Sequence, residues 1–115
     1  MANNIAFQQM GKTVRVAATA SNTQSSIVTI TADSPCNQYY LCNPDQTNNV
    51  YVKISTSNSF NVSLPDTTPD YVIPVPPHSY KVITGPQVSP TQNTYIRVIS
   101  GGANATCYVT PGEGL

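Results

Sequence analysis

Val50-Tyr51-Val52-Lys53-Ile54-Ser55 is the stretch on which the fold turns. Val50, Val52 and Ile54 occupy one phase of a two-residue repeat, and Tyr51, Lys53 and Ser55 the other. That is the pattern of a strand with one side against a core and one toward water. Branching at Cβ restricts χ1 in a helix and packs well on a pleated surface, so the valines and isoleucine reinforce the assignment.

The same period recurs on both sides. Upstream, residues 13–18 set Val14 and Val16 against Thr13 and Arg15, and residues 26–31 set Val28 and Ile30 against Ile27 and Thr29. Residues 38–42 form a short aromatic strand, followed by the turn-forming run Asn43-Pro44-Asp45-Gln46-Thr47-Asn48-Asn49. Downstream, a weaker strand is expected at 60–64. Strands at 71–75 and 79–84 flank Pro76-Pro77, and 93–100 sets Ile96 and Val98 against Tyr95, Arg97 and Ile99. Gly101-Gly102 then signals a turn, and a last strand at 105–110 is expected to pair with its predecessor as a hairpin.

About eight short strands without a helix predict an all-β antiparallel β-sandwich, jelly-roll-like, with Val and Ile inside and Thr, Asn and Ser outside. An immunoglobulin-like sandwich is the rival; it lacks support because there is no Trp for the core and the cysteines are wrongly spaced for an inter-sheet bridge. Within 115 residues the expected organisation is an N-terminal arm at 1–12, one sandwich domain at 13–110 and a C-terminal tail at 111–115. Seven of the ten prolines lie between Pro65 and Pro90, so that segment is expected to supply edge strands and extended loops. The functional alternative is an arm laid on a neighbouring subunit.

Composition excludes some partners. Charged residues are 9% of the chain, against about 25% in an average domain, and five basic side chains balance five acidic ones. No basic excess exists to release counterions from phosphates, so nucleic acid is not an expected partner. No apolar run approaches about 18 residues, so no membrane span is expected, and residues 1–11 lack a signal-like apolar core. Neutral polarity replaces charge, with 14 Thr, 11 Ser, 11 Asn and 7 Gln.

Catalytic chemistry is thinly represented. His78, the only histidine, sits in a polar turn, and no activating motif surrounds Cys36, Cys42 or Cys107. Those four residues have the atoms of a zinc site without a Cys-x-x-Cys element, so neither metal nor cofactor is expected. The cysteines read as free thiols, with a Cys36–Cys42 disulfide as the alternative, and Cys107 reads as a small core residue in phase with Val109. Asp66 and Asp70 flank Thr67-Thr68-Pro69, where turn capping outweighs a loop cation site. The sequence argues against an enzyme.

Of the seven tyrosines, Tyr39, Tyr51, Tyr71, Tyr80 and Tyr95 are the candidate interface residues. Tyrosine suits positions with one end buried and the other wet, and several stand on the polar phase of their strands. Ordinary cross-strand packing is the competing account. A tyrosine-lined glycan face is a third.

Gly11-Lys12-Thr13-Val14-Arg15-Val16, Asn49-Val50-Tyr51-Val52-Lys53-Ile54 and the closing Thr106-Cys107-Tyr108-Val109-Thr110-Pro111-Gly112-Glu113-Gly114-Leu115 together resemble the capsid decoration, or cement, proteins of tailed bacteriophages. The resemblance implies a β-rich structural virion protein, made in the host cytoplasm, that binds the outer capsid surface. Its partner would be the major capsid protein, and it would work as a homo-oligomer, a dimer or trimer, that stabilises the head without catalysis or cofactor. The alternative it leaves is a head-fibre or tail-associated module binding glycan or host surface.

Overall fold

In the computed structural model, which describes residues 7–18, 23–65, 69–102 and 104–114, the alternating stretch is β5 (Val50–Ser55). Val50 and Val52 are fully buried, while Tyr51, Lys53 and Ser55 lie on the other side. The remaining strands are β1 (Gln8–Gln9), β2 (Val14–Ala18), β3 (Val28–Ile30), β4 (Cys36–Asn43), β6 (Ile73–Val75), β7 (Ser79–Val88), β8 (Thr94–Ser100) and β9 (Ala105–Glu113). No helix occurs among the described residues.

Every pairing is antiparallel, and the pairings nest. β2 pairs β9, β3 pairs β8, β4 pairs β7 and β5 pairs β6. The chain therefore forms one long ribbon with β5–β6 at its tip. The ribbon rolls so that β9 lies against β4 and β8 against β5. The result is two sheets, β2-β9-β4-β7 with β1 continuing the β2 edge, and β3-β8-β5-β6. This is the double-sheet arrangement of a jelly roll, so the expected antiparallel sandwich is what the chain forms.

The core lies between the inner faces. Tyr39 and Leu41 of β4, Cys107 and Val109 of β9, and Ile96 and Val98 of β8 are fully buried there with Val50 and Val52. Each such apolar side chain contributes about 1.5–3 kcal/mol by leaving water, and Leu41→Ala would cost about 2–5 kcal/mol.

Four local expectations are corrected. Residues 60–64 form no strand, yet Val62 and Leu64 are buried with Ile99 in a second small cluster on the outer side of β8. Alternation there reflects a loop packing its apolar residues downward, which periodicity cannot separate from a strand. β8 and β9 do not form a hairpin, because they belong to different sheets. The edges of β8 are taken by β3 and β5, so the turn at Gly101-Gly102 carries the chain across the sandwich. Residues 111–113, expected in the tail, continue β9, and Gln8–Gln9, expected in the arm, pair with Gly112 and Glu113. A central strand with partners on both edges extends as far as those partners reach. Finally, β7 runs to Val88, beyond residue 84, because its irregular pairing with β4 past Thr84 takes in Gly85 and Pro86.

All sheet edges are guarded against stray pairing. β3 and β6 have three residues each, and β6 carries Pro74. β7 carries Pro86 and Lys81, the latter opposite inward-facing Leu41. The opposite edge is interrupted between β1 and β2. The proline-rich segment thus does supply the β6 and β7 edges.

Candidate functional site

A sandwich presents two outer faces, and here they differ. On the outer side of β3-β8-β5-β6, residues 56–65 and 69–72, between β5 and β6, fold back as a flap. Lys53 Nζ donates to Asn61 O (3.0 Å) and to Asp70 Oδ1 (2.9 Å). Arg97 donates from Nε to Ser25 O (2.6 Å) and from Nη1 to Phe60 O (2.7 Å). Asp70 Oδ2 accepts from Ser63 N (2.9 Å), and Gln24 Oε1 accepts from Val62 N (2.8 Å). Beneath these bonds Val62, Leu64 and Ile99 pack with Tyr51 and Val72. This face is largely occupied by its own chain.

Among the described residues, the outer face of β2-β9-β4-β7 carries no such flap. Register sets the row Arg15, Tyr108, Cys42, Tyr80 across the four strands, and the adjacent row runs Thr110, Tyr40, Val82. Tyr40 and Tyr80 are diagonal neighbours and stack, with ring centroids 5.3 Å apart and planes 9° from parallel. Phe7 adds a third ring, 5.8 Å from Tyr40 and tilted by 46°. Gly112 leaves room for it, since a Cβ at that position would collide with the Phe7 ring. The Thr13 and Thr110 hydroxyls are bonded at 2.6 Å beside this aromatic row. Tyr80 is 64% and Tyr108 39% exposed. Arg15 is the one charged side chain in these rows.

The five candidate tyrosines do not form one surface. Tyr39 is fully buried, its hydroxyl donating to Pro86 O at 2.5 Å and bonded to Thr94 Oγ1 at 3.1 Å, so it is a core residue. Tyr51 packs under the flap. Tyr95, opposite Ser55, shares that sheet, and Tyr71 is 91% exposed beside Asp70. Only Tyr80 belongs to the open aromatic face. Its companions Tyr40, Tyr108 and Phe7 were not selected from the sequence. A signal existed for Tyr40: Leu41 marks the buried phase of β4, which places Tyr39 inside and Tyr40 outside. Stacking with Tyr80 depends on the pairing of β4 with β7, which no local pattern contains.

The other candidate groups are dispersed. Cys36, Cys42 and Cys107 are free thiols, and six residues along one strand put Cys36 and Cys42 about 20 Å apart, too far for a disulfide. Burial, with lesser help from nearby Cys42, pushes the Cys107 thiol up to about 12. Cys42 and His78 line an open depression of about 240 Å³ with Asn43, Pro44, Ser79 and Tyr80, and no hydrogen bond joins them. His78 is exposed, has a left-handed backbone (φ 55°), and donates its N–H to Asp45 O at 3.0 Å. Asp70 works as a flap anchor, and Asp66 lies outside the described residues. No group of three or more His, Cys, Asp or Glu side chains able to hold a metal ion occurs among the described residues.

This arrangement offers stacking and neutral hydrogen bonding. The chain matches no known protein-family model, and no curated protein is significantly similar to it.

Proposed function

We propose that this chain is a structural binding module that decorates the outer surface of a tailed-phage capsid and stabilises the head. Its contact would be the outer face of β2-β9-β4-β7. The observation that carries the reading is the contrast between the two faces among the described residues: one is covered by the flap, the other displays stacked aromatics and threonines almost without charge. Such a surface meets another protein with little desolvation of ions, and its hydrogen bonds are insensitive to salt. The resemblance of the chain to decoration proteins supplies the capsid as the partner.

The patch spans four strands and about five residues, roughly 14 Å square, well below the ~800 Å² per partner of a stable pairwise complex. One contact of this size is weak. Homo-oligomers docking on symmetry-related capsid sites would gain strength through multivalency, so a dimer or trimer suits this surface.

The test is co-sedimentation with purified, expanded tailed-phage heads stripped of decoration protein. Saturable binding is expected, weakened at least about tenfold by Tyr80→Ser and unchanged by Tyr95→Ser on the opposite sheet. Equal effects of the two changes, or no binding by the unaltered chain, would overturn the reading.

A further inference from the structure

A second recess lies at one end of the sandwich, on the flap side and away from the aromatic face. It has a volume of about 280 Å³ and is lined by Thr47, Asn48 and Asn49 of the β4–β5 loop, Tyr51 of β5, Leu64 of the flap, and the Gly101-Gly102 turn. This is near the small end of ligand pockets, which span about 300–1,000 Å³. It admits one ring rather than an extended cofactor.

The walls are held in place before any ligand arrives. Asn43, fully buried, donates from Nδ2 to Asn48 O and to Val75 O, both at 2.9 Å, and its Oδ1 accepts from Asp45 N at 3.1 Å. Asp45 Oδ2 in turn accepts from Thr47 N (3.0 Å) and Asn48 N (2.6 Å). Tyr51 is seated against Val62, Leu64 and Ile99. Gly102 lets the turn approach closely, because a Cβ there would strike the Asn48 side-chain oxygen.

The chemistry of the lining selects a ligand class. It contains an aromatic ring and a leucine, two carboxamides, one threonine and glycine backbone, and no charged side chain. The nearby Asp45 carboxylate is turned into its own loop amides. An ion entering here would lose water without gaining a counter-charge. A neutral polyol with one apolar C–H face would find a ring and leucine on one side and amide donors and acceptors on the other. The Asn49 carboxamide and Tyr51 hydroxyl have no hydrogen-bond partner among the described residues and are available to it.

We infer that this recess binds one neutral pyranose unit of a glycan, oriented by Asn49 and stacked toward Tyr51. The inference is independent of the capsid-binding face.

The test is NMR titration of the full chain with the methyl glycosides of glucose, galactose, mannose and N-acetylglucosamine, and with N-acetylasparagine methylamide as a peptide-like competitor. At least one sugar is expected to shift resonances of Asn48, Asn49, Tyr51 and Gly102 selectively. Asn49→Ala and Tyr51→Phe are each expected to weaken it about two- to tenfold, with an otherwise unchanged spectrum showing an intact fold. The inference is overturned if no sugar shifts these residues at millimolar concentration, if both variants bind unchanged, or if the amide binds more tightly than every sugar.

Discussion

Lys53 and Arg97 stand directly opposite each other across β5 and β8. Like charges in that position repel, and in this fold neither cation is left to the other. Lys53 is paired with Asp70 of the flap at 2.9 Å, and Arg97 is bonded to the carbonyl oxygens of Ser25 and Phe60. The repulsive pair thereby becomes the anchor that draws residues 56–65 and 69–72 onto this sheet rather than the other.

Removing the charge at Asp70 loosens that anchor. Asp70→Asn is expected to cost about 1 kcal/mol, a modest figure because the pair is partly solvated. Hydrogen exchange should rise at Val62 and Ser63 and remain slow at Leu41 and Val109. Equal acceleration in flap and core would mean that the ion pair supports the whole sandwich.

Acid should act on the same contact. The hydrogen bond from Lys53, aided by the backbone N–H groups of Ser63 and Tyr71 and opposed by burial, holds the Asp70 carboxyl below its ordinary value of 3.8. A carboxyl whose folded pKa is depressed contributes fully above the unfolded value and loses that contribution as pH falls through the folded one. Flap protection should therefore be constant from neutrality to about pH 4 and disappear below it. Asp45, lowered by the Asn48 and Thr47 backbone amides, should fade in the same acid range.

Tyr39→Phe deletes one oxygen from the core. It leaves buried Thr94 and the Pro86 carbonyl without that partner, an expected loss of about 1–3 kcal/mol. Thermal denaturation should show a fall of at least about 4 °C. An unchanged melting temperature would show that water replaces the hydroxyl.

Thiol labelling should follow orientation on the strands. Cys42 points to the open face, whereas Cys36 and Cys107 are buried, and the Cys107 thiol is pushed up to about 12. One equivalent of a maleimide is expected to react with the native protein at Cys42, and three after unfolding. Rapid native labelling of Cys107 would contradict the burial of β9.

His78 adopts φ 55°, a conformation costing most L-residues about 1–2 kcal/mol. His78→Gly is expected to preserve or slightly raise stability, and His78→Val to lower it by about 1–2 kcal/mol, as read from denaturant midpoints.

Much of the fold is written locally. Branched residues at alternating positions mark β2, β5 and β8 and say which side of each faces inward, because an inward polar residue would lose its water without compensation. The same phase, followed through Leu41, places Tyr39 in the core and Tyr40 outside. Phase does not distinguish a strand from a loop such as 60–64 that also buries alternate residues, nor a hairpin from the crossover at Gly101-Gly102. Both depend on which strand edges are already taken.

By itself, then, the sequence determined a charge-poor, proline-punctuated antiparallel sandwich, since these follow from side-chain branching, periodicity and composition. Tertiary structure alone decided which face the flap covers. The pairing of β4 with β7 stacks Tyr40 on Tyr80, and contacts across 17 positions join Lys53 to Asp70. A strand pattern records inside and outside, but carries no register with a distant strand and no knowledge of the loop that will lie across it.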